Sequence, residues 1–384
     1  MAPFSDLKVT GFLLLVVGLV LTYHVTILVE GGRNIASKLS EEEGLELERQ
    51  LNILNKPSIK TVHTRRGVIY DCVEFHKQPA FDHPLLKTYA YQKIDETTTT
   101  QPHKRLISHV EGCPKGTVPI RRTTKEDLIR AKYLSSSSNA LGDEYRAGYT
   151  LTLTDERFYG ASGIVNVWNP KVNPDQFSGV EVTLKAGTTE EANEIRFGWT
   201  VYPQLYGENA TLTYAYWTGD GGHKTGCYNT LCLGFVQVDG HYTPDMYLDN
   251  ISVVGGTQFE HTSEVFQEHE TGKWWLTIQG VKVGFWPEEL FPLFDQGAEQ
   301  IFWGGRVKSG KDGTPNMASG ALPDDYTDHT GYYAELLYRN RTHDNLKPSL
   351  EIQNTVDCRG PYNSNWDNDH TILHFGGPGG GTCA

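Results

Sequence analysis

Basic residues are in short supply. The 384-residue chain carries 34 Lys and Arg against 47 Asp and Glu, for a net charge of −13 and a pI near 5.5. Nucleic-acid binding needs a basic face, so that class is set aside. Long apolar runs are nearly missing too. "GFLLLVVGLVLTYHVTILV", Gly11 to Val29, is the one run of membrane length, and a mean hydropathy of −0.44 marks the remainder as water-soluble. Lys8 precedes that run and fits a signal peptide. Its length, and the lack of an A-x-A site after it, leave a single-pass anchor open, so a membrane is expected as partner only if the segment stays uncleaved. Common catalytic signatures are absent. There is no H-E-x-x-H, P-loop or G-x-G-x-x-G. "YGASGI" has Ile164 where a nucleophile elbow needs glycine. The C-terminal "GGPGGG" lacks a lysine and a strand–helix setting, so it reads as a loop.

What is present points to β-structure and the secretory pathway. Met 3 against Gly 40, Tyr 20 and Trp 8 suggests an all-β protein with many turns. Six cysteines follow the apolar run. Several pairings are open to them, and their order along the chain favours Cys72–Cys113, Cys227–Cys232 and Cys358–Cys383. Zinc on "HKTGCYNTLC" with His223 is the rival, but a fourth ligand and a tight Cys-x-x-Cys are missing. No metal and no cofactor are expected. Sequons at Asn209, Asn250 and Asn340 agree with a secreted glycoprotein.

The chain divides by texture. Residues 1–29 form the signal or anchor segment. In "LSEEEGLELERQLNILNKP", Ser40 and Glu43 make a capping box, Leu47, Leu51 and Leu54 share a face, and Pro57 stops the helix. Residues 30–140 read as a separable appendage with its own cysteine pair, ending in an exposed polar linker at Ser135 to Asn139. From Tyr149 onward the pattern is short alternating strands, "TLTLT", "VEVTL", "IRFGWTVYP", "TLTYAYW", "WWLTIQG" and "IFWGG", so residues 141–384 are expected to form a β-sandwich or barrel.

Two of these strands present arginine. In "NEIRFGWTVYP", Glu194, Arg196, Gly198 and Thr200 point one way. In "IFWGGRVKSG", Phe302, Gly304 and Arg306 share a face, although Gly-Gly also reads as a kink or bulge. Small residues beside each arginine suggest the floor of a groove. Two solvated surface arginines fit the composition equally well.

The blocks "YDCVEFHKQPAFDHPLLK", "CPKGTVPIRR", "FGWTVYPQLYGEN", "YWTGDG", "TGCYNTLCLGFVQ", "TGKWWL", "VGFWPEELF", "FWGGRV" and "HFGGPGGGTC" resemble the neprosin family of plant proteins, in order, over roughly residues 58–383. The resemblance implies an activation-peptide region of small α+β character, then an antiparallel β-sandwich. It also implies a secreted glutamic endopeptidase that cuts after proline at acid pH with two glutamates. Those glutamates belong in N-x-I-E-x-G-W and W-G-G-E, where this sequence has Arg196 and Arg306. The family's S-G-H-F-P reads "SGALP", with Ala321 and Leu322. Acid hydrolysis needs one carboxylate to accept a proton and one carboxylic acid to donate it. Arginine does neither.

The sequence therefore leads to a pseudopeptidase with a retained groove, secreted to the cell wall or other extracellular space, with the vacuole as the alternative destination. Its expected ligand is a proline-containing peptide or an acidic glycan, held by the two arginines and by Trp199, Tyr202, Trp217 and Trp303, with Ala321 at the rim. The same aromatic residues could equally be core. An active acid endopeptidase using Glu194, about 7 Å along the strand from Arg196, is the second reading. A cell-wall or defence protein without a small ligand is the third.

Overall fold

The computed structural model describes residues 40–91, 112–136, 143–324, 326–348, 352–367, 371–380 and 383. The expected signal or anchor segment and residues 137–139 of the expected linker lie outside these. By compactness the chain divides into residues 1–50 and 51–384. Helix α1, Glu41–Leu54, begins in the first and ends in the second. Its start is the capping box read from sequence: Ser40 Oγ accepts from the Glu43 amide at 3.2 Å, and Glu43 Oε2 accepts from the Ser40 amide at 3.1 Å. Among the described residues no helix is long and apolar enough to cross a membrane.

The strands are β1 Lys60–His63, β2 Ile69–Glu74, β3 Thr117–Arg121, β4 Glu144–Thr152, β5 Gly160–Asn166, β6 Phe177–Ala186, β7 Asn193–Val201, β8 Thr211–Thr218, β9 Cys227–Tyr228 and β10 Val236–Gln237. They continue with β11 Glu260–Gln267, β12 Trp274–Ile278, β13 Val281–Trp286, β14 Gln300–Lys308, β15 Gly331–Arg339, β16 Asn345–Leu346, β17 Gln353–Val356, β18 Asn363–Trp366 and β19 Ile372–Gly376. A seven-stranded sheet has the order β17-β4-β14-β6-β7-β8-β9. A nine-stranded sheet runs β10-β13-β12-β11-β5-β15-β19-β18, with β16 beside β15. All these pairings are antiparallel, and the two sheets form the expected β-sandwich.

Alternation explains the core. Along β7 and β14, Ile195, Phe197, Trp199, Ile301 and Trp303 face inward and are buried with Val165, Val265 and Phe375 of the opposite sheet. Two tryptophans cross the gap with their ring N–H groups, Trp199 to the Asn166 carbonyl and Trp303 to the Ser162 carbonyl, each at 3.0 Å. The alternate residues of the same strands, Arg196 and Arg306 among them, must then face away from this core.

The segment before β4 is not separable in its packing. It holds β1–β3 as a small sheet, the Cys72–Cys113 disulfide, and a helix α2, Lys125–Ser136, that sequence analysis missed. The signal for α2 was there: Thr124 and Asp127 cap each other's backbone amides, at 2.8 and 3.1 Å. The helix consumes the first two serines of the expected linker. Ala80, Phe81, Leu86 and Tyr89 form one apolar cluster with Val236, Phe266, Trp275 and Phe285 of the nine-stranded sheet. Gln78 exchanges two hydrogen bonds with the Gln237 backbone, at 3.0 and 2.8 Å. Arg121 pairs with buried Asp245 at 3.3 Å.

The remaining disulfides are Cys227–Cys232 and Cys358–Cys383. The first occupies both thiols of the candidate zinc motif.

Candidate functional site: an ion-paired sheet face

The outward face of the seven-stranded sheet collects the charged residues. Strand β6 lies between β14 and β7. Its Glu181 stands opposite Gly304 on one side and Gly198 on the other. Two residues along β6 in one direction, Thr183 is paired with Arg196; two residues in the other, Gly179 is paired with Arg306. The period of two thus puts both arginines and Glu181 on one face, with the glutamate midway.

Arg306 is bound by two carboxylates. It contacts Glu181 at 3.3 Å and makes a shorter contact with Glu144, the first residue of β4. The Arg306 side chain is only 12% exposed and that of Glu181 2%. Tyr214 of β8 donates its hydroxyl to Glu181 at 2.8 Å. Burial works against a charge on Glu181, but Arg306, then Arg196 and the Tyr214 hydroxyl, outweigh it and hold the carboxyl below its ordinary value. Glu144 is lowered in the same way, burial opposing and Arg306 then Arg196 prevailing. The ion pairs thus favour the carboxylate form of both.

Arg196 has its own partner. Its Nε and Nη2 donate to the two oxygens of Glu194 at 2.7 and 2.6 Å, a bidentate pair. The guanidinium also lies over the Tyr216 ring, 4.8 Å from its centre. Glu194, the candidate substitute acid, is on the arginine's face as expected, but both its oxygens are occupied.

Several expectations change. The arginines are not free to meet an anionic ligand, because carboxylates of the same sheet already neutralise them. Trp199, Trp217 and Trp303 do not line a groove; they lie between the sheets, at most 2% exposed. One-residue alternation sets them opposite the arginines. Tyr202 is buried as well, but beside the site, packed on Phe177 and Tyr228. Ala321 lies against Gly376 of β19 in the other sheet. No bulge occurs at Gly304-Gly305, where pairing with β4 and β6 runs unbroken over Gln300 to Lys308. Gly304 instead allows close approach: a Cβ there would meet Gly148 and the Phe302 ring. The space expected over this glycine is filled by that ring.

Glu181, Glu144 and Tyr214 are the site residues that sequence analysis missed. "VEVTL" was read as a strand, and its single charge between two valines was the available signal. A lone glutamate in such a position is either solvated or paired, and only the fold supplies the partner. Tyr202, Tyr214 and Tyr216 gather around Tyr228, with ring centres 6.1, 6.0 and 5.0 Å from it, and form an aromatic wall beside the charges. Tyr228 is placed there by β9, which is closed by Cys227–Cys232. Among the described residues no group of His, Cys, Asp and Glu is arranged to hold a metal.

Fold and face together define a two-sheet antiparallel sandwich with an appended N-terminal region and a closed ion-pair network where the resemblance expects two acids. The family model described as Neprosin matches residues 174–378, over half the chain, and Neprosin activation peptide matches residues 61–150. The chain belongs to the neprosin family. Among solved structures, Scytalido-glutamic peptidase with a peptide-based transition state analog is similar at 12% identity, covering 61% of this chain and 98% of that one with a TM-score of 0.35. SCP-B, an Eqolisin-family peptidase in complex with the tripeptide Ala-Ile-His, gives 12% identity, the same coverages and 0.34. The apo Crh5 transglycosylase gives 13%, 46%, 58% and 0.23. Likeness this distant bears on neither site nor reaction.

Proposed function

We propose that this chain is a neprosin-family protein that has lost glutamic-peptidase chemistry and serves as a secreted peptide-binding protein. One observation carries the reading: arginine stands at both positions where the family pattern has glutamate, and each is tied to glutamates of the same face. Water attack on an amide needs a base to take the water's proton and an acid to protonate the leaving nitrogen. Glu181 and Glu144 are held ionised against Arg306, and Glu194 is held in a bidentate pair, so no acid–base couple is assembled. Tyr216 and Tyr228, the half-buried members of the tyrosine wall, support a ligand with ring or apolar surface, such as a proline-containing peptide. Three carboxylates against two arginines leave this network with an excess negative charge, which counts against the acidic-glycan reading.

Three disulfides support passage through an oxidising compartment. So do the sequons, with Asn209 exposed and Asn250 and Asn340 half-exposed.

The test is self-conversion. Purified protein, free of other proteases and held at about pH 4, near the ordinary carboxyl pKa, is expected to keep its full length. Autonomous shortening to a form starting between residues 135 and 143 would show that a working acid–base couple survives.

A further inference from the structure

Arg306 alters the partner of a third cation. Lys308 follows it by two residues on β14 and shares its face. Directly across the ladder from Lys308, on β4, stands Glu144. Cross-strand neighbours of opposite charge ordinarily pair. Here Glu144 reaches diagonally to Arg306 instead. Among the described residues no carboxylate remains within ion-pair distance of the Lys308 ammonium. Its bond is to the side-chain oxygen of Gln204, long at 3.4 Å. An ammonium has three donors, and this one is carried by a residue only 6% exposed.

The surroundings enclose this group, unlike a snorkelling surface lysine. Phe177 flanks Lys308 on β6 and packs on Tyr202. Gln204 belongs to α3, Pro203–Tyr206, the short helix that follows β7. Burial depresses the lysine, while Glu144 and Asp175 act the other way without cancelling it. A buried ammonium with one long neutral acceptor is under-satisfied, and a stronger acceptor in Gln204's place would be favoured.

We propose that Lys308, and neither arginine, is the group on this face that receives a carboxylate of a bound peptide, with the Gln204 amide standing in for that carboxylate in the free protein. This rests on the reading of the face as a peptide-binding surface. The ligand class narrows to peptides carrying an acidic residue beside proline. Arg196 and Arg306 keep their internal partners throughout.

Calorimetric titration of the full-length protein tests it with two probes, acetyl-Ala-Pro-Gln-Pro-Glu-Pro-amide and the same peptide with glutamine for glutamate. At neutral pH and low salt the acidic probe is expected to bind about tenfold tighter, the gain of a charge-assisted hydrogen bond over a neutral one. Lys308→Met should erase that preference, Lys308→Arg should keep part of it, and exposed Lys171→Met should leave it intact. If Lys308→Met fails to fold, Gln204→Ala decides: removing the stand-in should widen the preference several-fold. Equal binding of both probes by the wild type, a preference that survives Lys308→Met, or a preference unmoved by Gln204→Ala would overturn the assignment while leaving the peptide-binding reading in place. Binding of neither probe would overturn both.

Discussion

Replacing Arg306 by glutamate, the residue the neprosin pattern has there, would set a third carboxylate beside Glu144 and Glu181 with no cation among them. Removing one partner of a buried ion pair typically costs about 3–5 kcal/mol, because the other charge is left unpaired. Arg306→Glu is therefore expected to lower stability by about that much in urea unfolding. Adding Glu181→Gln should recover part of the loss, since the amide keeps a partner in Tyr214 without the charge. An Arg306→Glu variant as stable as the wild type would contradict the network. The positions of Arg196 and Arg306 were legible from the sequence because the flanking motifs fix the family pattern. Their state was not. Sequence placed them on a groove floor or in solvent, and the fold pairs them with carboxylates from residues 144, 181 and 194. Two of those three partners come from other strands.

At the level of elements, strand alternation decides which side chains meet the core and which meet the charged face. The period of two that puts Arg196 outward puts Trp199 inward. Counting aromatic residues without their parity assigned three core tryptophans to a ligand surface. Gly304-Gly305 illustrates the opposite error. Two glycines in a strand signal close approach or a bulge, and only the neighbouring strand decides between them. Here Gly148 and the Phe302 ring fill the place of a Cβ, so the strand stays regular. Helix α1 was legible through its capping box and leucine face. Helix α2 is announced by the Thr124–Asp127 cap, but the serines at its end give it the composition of a linker. The cysteine pairs follow chain order, as a succession of local closures would. The docking of the segment before β4 was illegible, since Phe81 and Tyr89 meet residues more than 140 positions away.

At the scale of the whole molecule, acid should loosen this protein in two stages. His261 of β11 is 1% exposed and neither ring nitrogen has a hydrogen-bond partner. Burial pushes it down from 6.5 to about 4. A depressed basic group binds fewer protons when folded than unfolded, so its contribution is complete above about pH 6.5 and is lost as pH falls toward 4, about 3 kcal/mol in all. The lowered carboxyls of Glu181 and Glu144 act in the next window: their stabilisation is present above the ordinary value of 4.5 and disappears as pH falls through their folded values. Midpoints of urea unfolding measured from pH 7 downward should fall in the first window before the carboxylates titrate. His261→Leu should flatten that first decline and leave the second. An unchanged profile would remove His261 from the account.

The most direct measurement of the central claim is a digest of a proline-rich peptide at about pH 4, near the ordinary carboxyl pKa, read by mass spectrometry. Losing one acid–base group commonly costs a hundredfold to about ten-thousandfold in rate, and here both family positions are arginine. Wild type, Glu194→Gln and Glu181→Gln are all expected to leave the peptide whole over a time in which an active acid peptidase consumes it. Cleavage after proline by the wild type, abolished by Glu194→Gln or Glu181→Gln, would contradict the account and identify the carboxylate that has taken over.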